Sequence, residues 1–308
     1  MTARTCVIYN PAAGRGKAGR LLDAARAWLP PFEVRPTTAQ GHAVELAAQA
    51  ARDGYERVVA AGGDGTAHEV ANGILTSGID TLFSSWPLGS SNDYARATGL
   101  SDWWKRRGEV ALGEIRADIG EVTAGERSRY FVNGSGVGFN GMVTVEAHRI
   151  DWLRGAPLYT LAFLRALRKH YATPTYRVTL DGVTGATPTL SLSVNLGPRE
   201  GGFPVTPDAR LDDGLIDTFH PGALARWELI RYLPSLVAGR LPKGHPRMGM
   251  GTCCAAAVGG DTPLCVHADG ELVCVPSDGV RRVTWHLHPA RLRVEVAWAS
   301  RDAGRLGD

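Results

Sequence analysis

The pentapeptide Gly62-Gly63-Asp64-Gly65-Thr66 follows directly on the apolar run Val58-Val59-Ala60-Ala61. A buried strand running into three glycines and a carboxylate sets bare main-chain N–H groups at the C-terminal edge of a sheet, where open α/β sheets bind ligands. Glycine lets the backbone approach a phosphate closely and adopt positive φ without strain. The next segment, Ala67 to Leu75, reads as a helix whose N-terminus faces the same ligand. A carboxylate among anion-binding amides repels phosphate unless it handles a cation or a proton, which makes Asp64 a candidate functional group. The plain alternative is a glycine-rich turn with a solvated Asp.

Two further segments follow the same logic. Val7 to Gly19 reads as a strand, a glycine-rich turn carrying Arg15 and Lys17, and an alanine-rich helix. It lacks the Gly-Lys-Ser/Thr ending of a P-loop. Gly14-Arg15-Gly16-Lys17-Ala18-Gly19 matches the dinucleotide fingerprint only as an isolated GxGxxG, with no acidic residue closing a second strand. Arg15 and Lys17 can neutralise phosphate charge or simply decorate an exposed turn. In Trp86 to Arg96 a short loop of hydroxyls and amides opens another helix, and Ser90, Ser91, Asn92 or Asp93 can cap it. His68 reads as a solvated first-turn histidine.

Two acidic segments lie downstream. In Val266-His267-Ala268-Asp269-Gly270-Glu271-Leu272 a strand meets Asp-Gly, which on local grounds is a hairpin turn. In Arg210-Leu211-Asp212-Asp213-Gly214-Leu215, carboxylate and carbonyl oxygens alternate around a glycine. That is oxygen-ligand chemistry for Mg2+ or Ca2+, although the spacing does not reach an EF-hand loop and a turn is the local alternative.

Together, NPxxGxG from Asn10, GGDGTxxEVxNG from Gly62 and PxGSSNDxAR from Pro87 resemble the diacylglycerol kinase catalytic-domain family of soluble bacterial lipid kinases, related to the sphingosine kinases. The resemblance continues through Asn133 to Phe139, Leu211 to Asp217 and Asp269-Gly270-Glu271, covering nearly the whole chain in order. Ala13 stands where that family usually has Ser, and Ser90 where it usually has Thr. The resemblance implies an ATP- and Mg2+-dependent transfer of the γ-phosphate to a lipid hydroxyl. The lipid stays open among diacylglycerol, a ceramide-like base, phosphatidylglycerol and an isoprenoid alcohol. The implied nucleotide set is Asn10, Lys17, Thr37, Gly62, Gly63, Asp64, Gly65, Thr66, Ser90 and Asn92. The implied catalytic set is Asp64 with Asp269 as first and Glu271 as second choice of base. A structural Mg2+ or Ca2+ would be held by Asp213 and the carbonyls of Arg210 and Leu215. The rival readings are a soluble kinase resembling NAD kinases and a non-catalytic nucleotide or lipid sensor.

The 308 residues, 44% hydrophobic and 21% charged, suit two globular domains. A net charge of +3 with scattered cations gives no nucleic-acid footprint. No apolar stretch reaches the roughly 18–20 residues of a membrane-spanning helix, and Met1 to Thr5 passes straight into a strand without a secretory core. Five cysteines without a CxxC pair suit a reducing compartment and read as small buried hydrophobes. The expectation is a cytoplasmic protein that associates peripherally with the inner face of the membrane, where its lipid substrate lies, without stable insertion. A homodimer is left open. Two segments suit that surface: the helix at Leu158 to Tyr171, with an apolar stripe and a basic end, and Trp103-Trp104-Lys105-Arg106-Arg107. The helix reads equally well as a core helix with solvated cations.

Strands at Cys6–Tyr9, Glu33–Pro36, Arg57–Ala61 and Thr81–Trp86 alternate with helices at Arg20–Trp28, Ala43–Asp53, Ala67–Leu75 and Asn92–Gly99. This rhythm predicts an α/β domain over residues 1–120 with a parallel sheet covered on both faces, which the resemblance makes phosphofructokinase- and NAD kinase-like. Residues 121–288 carry short alternating runs broken by Gly and Pro, the pattern of a mainly antiparallel β-sandwich. Helices at Leu158–Tyr171 and Ala225–Val237 interrupt them. The resemblance sends the strand at 289–299 back to the first domain, and 300–308 is expected to be a disordered tail.

Overall fold

The computed structural model describes residues 3–13, 18–26, 29–89, 91–103 and 110–299. The chain divides into two compact units, one made of residues up to Ala117 and from Ala290 on, the other of Asp118–Pro289. Lys17, Arg15, Ser90, Trp104 to Arg107 and the segment 300–308 lie outside the described residues.

In the first unit, strands β1 (Thr5–Tyr9), β2 (Phe32–Pro36), β3 (Arg57–Gly62) and β4 (Leu82–Pro87) form a parallel sheet in the order β2-β1-β3-β4. The last strand of the chain, β16 (Arg282–Ala299), extends it with a parallel pairing of Val294 to Phe83. Helices α1 (Ala18–Arg26), α2 (His42–Arg52), α3 (Asp64–Ser77) and α4 (Asp93–Ala97) connect these strands. Cys6, Val7, Ile8, Val58, Val59 and Ala61 are all fully buried, as near-continuous apolar strands of a two-sided parallel sheet must be.

The pairing of α2 with α3 follows from two residues of α3. Glu69 accepts the N–H of Gly41 at 2.9 Å and of Ala43 at 3.1 Å, so it supplies the N-terminal cap that α2 lacks in its own sequence. One helical turn on, a Cβ at Gly73 would lie 2.3 Å from the Val44 carbonyl oxygen, so only glycine lets the helices meet there. Glu295 on β16 is 6% exposed and is held by Arg57 and, at 2.6 Å, by the Ser84 hydroxyl.

The second unit is a sandwich of two sheets. One has six strands in the order β12 (Met248–Cys253), β11 (Ile216–Pro221), β10 (Ser191–Asn195), β7 (Gly134–Gly138), β14 (Val266–Ala268), β15 (Glu271–Cys274), all antiparallel. The other joins β9 (Val183–Pro188), β8 (Thr175–Leu180), β13 (Ala255–Gly259) and residues 282–286 of β16. Strand β5 (Val110–Ala124) also pairs with β16 and, through residues 120–124, with β6 (Arg127–Phe131). Fully buried Trp285 donates its indole N–H to Ser135 Oγ at 2.8 Å and ties the sheets together.

Helices α5 (Phe139–His148), α6 (Gly155–Lys169) and α7 (Arg226–Val237) complete this unit. The apolar stretch Cys253–Val258 is shared by two strands, β12 and β13, broken at Cys254 and assigned to different sheets. Cys254 is exposed there, whereas Cys6, Cys253, Cys265 and Cys274 are buried. Burial pushes the Cys6 thiol up to about 11 and those of Cys253 and Cys265 to about 12, which keeps them unreactive. Trp103, expected at a membrane surface, is 5% exposed and packs against Trp86 in the core of the first unit.

Candidate functional site

In the first unit the candidate residues gather at the C-terminal edge of the parallel sheet. Asn10 follows β1; its N–H reaches the Ala61 carbonyl at 3.2 Å and its Oδ1 accepts the Ala12 N–H at 2.9 Å. Thr37 follows β2, with its N–H on the Tyr9 carbonyl at 2.9 Å. Gly62 ends β3, and Gly63 caps α3 in an extended conformation. Asp64 and Gly65 are therefore the first residues of α3 rather than part of a loose loop. Thr66 is buried directly behind them.

The glycines are set by close approach of two backbones. The Gly62 carbonyl accepts N–H groups from Leu88 at 2.8 Å and Gly89 at 3.1 Å. A Cβ on Gly89 would lie 2.4 Å from the Gly63 Cα, and one on Gly62 would lie 2.3 Å from Thr66 Oγ1. Asn92, at φ 51°, closes the same turn by accepting from the Gly89 N–H at 3.0 Å and donating to the Gly89 carbonyl at 2.9 Å. Asp64 Oδ1 accepts the Tyr94 N–H at 3.1 Å, so one carboxylate joins the first turns of α3 and α4. The result is a rigid, side-chain-poor rim of main-chain N–H groups at helix N-termini, with one fixed carboxylate: a surface suited to a phosphate chain and its counter-ion. His68 does not face solvent; it is 3% exposed, and Asn72 Nδ2 donates to its carbonyl at 2.9 Å.

The second unit holds the acidic candidates. Asp269 and Gly270, at φ 49° and 86°, make the two-residue turn of the β14–β15 hairpin. The Asp269 carboxylate accepts three main-chain N–H groups, from Val132, Asn133 and Gly134, each at 2.9 Å. These fill most of the roughly four lone-pair directions of a carboxylate. Its own N–H donates to the Gly134 carbonyl at 2.7 Å. Glu271 begins β15 two residues on, half-buried. His148 Nε2 meets the Gly270 carbonyl at 3.1 Å.

The Arg210–Leu215 segment is a turn with a carboxylate that sequence reasoning did not single out. Asp118, 2% exposed, takes the Gly214 N–H on Oδ2 at 2.7 Å and gives its own N–H to the Leu211 carbonyl at 2.7 Å. Asp213 is exposed and accepts the Leu215 N–H at 3.1 Å. Burial, and then the charges of Asp213 and Asp208, push the Asp217 carboxyl up to about 6. The carboxylate and carbonyl oxygens of this turn are hard ligands of the kind a divalent cation takes, and they lie beside the ion pairs Arg210–Asp212 and Lys243–Asp208. Among the described residues no group of three or more His, Cys, Asp or Glu side chains converges on a metal, so such an ion would depend on the carbonyls of Arg210 and Leu215 as well as Asp213.

Comparison with known proteins places this arrangement. Residues 4–124 match the diacylglycerol kinase catalytic domain, and residues 134–296 match the YegS C-terminal NAD kinase beta sandwich-like domain. A diacylglycerol kinase of Mycobacterium tuberculosis is 28% identical over 292 residues, covering 88% of this chain and 89% of that protein. A diacylglycerol kinase of Bacillus subtilis is 31% identical over 226 residues, covering 70% and 72%. The crystal structure of a diacylglycerol kinase from Bacillus anthracis shares the fold with a TM-score of 0.68 at 18% identity, over 95% of this chain and 96% of that one. Two adjacent domain matches in the family order, with relatives aligned through both, leave one conclusion: the chain belongs to the diacylglycerol kinase family of lipid kinases, with a YegS-type sandwich as its second domain.

Proposed function

We propose that this lipid kinase transfers the γ-phosphate of ATP to the free hydroxyl of diacylglycerol or a closely related lipid. The observation that carries the reading is the glycine-built rim at Gly62, Gly63 and Gly89, with Asp64 held across the first turns of α3 and α4. In this reading the N–H groups at the start of α3 bind the triphosphate, the close approach of Gly62, Gly63 and Gly89 leaves it room, and Asn10, Thr37, Thr66 and Asn92 line the same sheet edge; Lys17 and Ser90 belong to the same proposed set. A Mg2+ ion bound with the nucleotide would supply screening of the phosphate charge. Asp64 orients that cation's side of the nucleotide.

Proton removal from the lipid hydroxyl falls to the Asp269-Gly270-Glu271 turn. Asp269, filled by three N–H donors, holds the turn in place, and this leaves Glu271 as the better placed of the two to accept the proton. The Asp213 segment would hold a structural cation away from the transfer step.

The test is incubation of the purified protein with radiolabelled ATP, Mg2+ and mixed micelles of diacylglycerol, with the product identified by chromatography. Labelled phosphatidic acid from the wild type, with Asp64→Asn lower by at least about 10²-fold, is the expected result. Label on NAD instead, or on no acceptor in a panel of lipid alcohols, would overturn the reading.

A further inference from the structure

Helix α7 carries an unpartnered apolar stripe whose chemistry is that of a membrane contact. Its inner side holds Leu229, 9% exposed, which packs with Phe139, Ala166, Leu167 and Met248. Glu228, 7% exposed, is fixed on that side by the Ala225 N–H at 2.7 Å and a two-point pair with Arg247. The outer side presents Trp227, Ile230 and Val237 at 63%, 54% and 54% exposure, with Pro234 exposed between them. At about 100° per residue these four positions fall on one narrow stripe. Arg226 and Arg231, both exposed, fall on its two flanks.

From Gly222 to Met250 the chain has five cations, Arg226, Arg231, Arg240, Lys243 and Arg247, against the single carboxylate of Glu228. Arg247 neutralises Glu228, and Lys243 pairs with Asp208 at 2.8 Å. Arg226, which also lies over the Tyr171 ring at 4.9 Å, and Arg231 flank the apolar stripe, and exposed Arg240 follows just past the end of the helix. A narrow apolar stripe topped by Trp and edged by Arg fits the interface of a bilayer whose headgroups are negative. A second protein surface would need matching carboxylates, and this segment of a second copy offers only more cations.

We propose that the outer face of α7 is a docking surface for an anionic lipid bilayer, with Trp227 and Ile230 entering the headgroup region and Arg226, Arg231 and Arg240 contacting the lipid phosphates. It rests on the lipid-kinase reading only for why the protein visits a membrane. The test uses the full chain sedimented with phosphatidylcholine vesicles, with and without phosphatidylglycerol, and the double variant Trp227→Ser/Ile230→Ser. Both residues are solvent-facing, so folding is preserved and is checked by the melting temperature.

Wild type is expected to bind only the phosphatidylglycerol vesicles and to be released by salt. The double variant is expected to bind roughly 10–100-fold more weakly, for the apolar burial each residue forfeits. Transfer to a short-chain diacylglycerol dispersed as monomer should be unchanged. Equal sedimentation of the two proteins overturns the proposal. So does a wild-type dimer that the variant converts to monomer without any vesicle binding, because a second copy then covers the face. If docking fails while transfer to monomeric lipid persists, the lipid-kinase reading stands. If docking behaves as expected and no lipid alcohol is phosphorylated, the docking surface stands and that reading falls.

Discussion

The carboxylate of Asp269 is asked to receive main-chain N–H groups from Val132, Asn133 and Gly134, which are 137, 136 and 135 residues away in the chain. Asp269→Asn must turn an NH2 toward at least one of those donors. It is therefore expected to lower stability by about 1–3 kcal/mol, the usual cost of a buried donor without an acceptor. Glu271→Gln, which keeps the turn, is expected to leave the melting temperature near wild type and to slow phosphate transfer by about 10²–10⁴-fold. Near-normal transfer in Glu271→Gln, with a loss in Asp269→Asn beyond what its unfolding explains, would return the base to Asp269. Local sequence already offered the Asp-Gly hairpin. It could not offer the three donors, since nothing near residue 269 encodes the β6–β7 connection. Asp118 escaped notice for the same reason, its partners being Leu211 and Gly214. The Gly62–Thr66 segment was legible because its chemistry is local: apolar strand, glycines, then a helix start. Burial of His68 is a tertiary effect that the sequence of α3 does not announce.

Helix α5 shows what periodicity misses. Phe139 to His148 contains Gly141 and the β-branched run Val143-Thr144-Val145, and its apolar pattern announces no helix. Tertiary contacts hold it. Glu146, with a fully buried side chain, takes Arg149 at 2.7 Å from its own end and Lys169 and His170 at 3.2 and 3.0 Å from the end of α6. Burial pushes the Glu146 carboxyl up, but the hydrogen bonds from His170 and Lys169 and the charges of Lys169 and Arg149 outweigh it, and the group sits below the usual glutamate range. Its folded form thus binds a proton less readily than the unfolded chain, whose carboxyl titrates near about 4.3. The stabilisation is fully present above that value and is lost as pH falls through the folded value below it. Glu146→Gln should cost about 1.5–3 kcal/mol at neutral pH. In thermal melts from pH 7 downward, the gap between the two proteins should narrow once pH passes below the unfolded value. A gap independent of pH would mean that packing, not charge, joins the two helices. The basic end of α6, expected to be solvated or to face lipid, is in part committed to this contact. By contrast, the parallel strands and the other long helices were readable because each buries a face with its own period.

For the molecule as a whole, the α/β domain and the antiparallel sandwich were both legible from the change in rhythm near Asp118. The lengths of β5 and β16 were not: 15 and 18 residues, where the sequence pattern marks only part of β5 and breaks β16 into two runs. No helix among the described residues is long and apolar enough to cross a membrane. An ion held at Asp213 would stabilise the native state by mass action, by about 2.7 kcal/mol when free Mg2+ exceeds its dissociation constant about 100-fold. Calorimetry should show the wild-type melting temperature rising with Mg2+ and that of Asp213→Ala flat; parallel responses would make the segment an ordinary turn. One feature of the first unit bears on how the protein is made. Its sheet is finished by Val294 beside Phe83, and Glu295 supplies the charge that Arg57 and Ser84 face. About 210 residues, the whole of the other unit among them, separate Phe83 from Val294 as the chain leaves the ribosome. At about 5–20 residues per second, the newborn β4 edge waits roughly 10–40 s with a bare ladder and an unneutralised arginine. During that interval the nascent chain is a client for chaperones, and an early stop anywhere in the sandwich releases a sticky fragment rather than a smaller working domain.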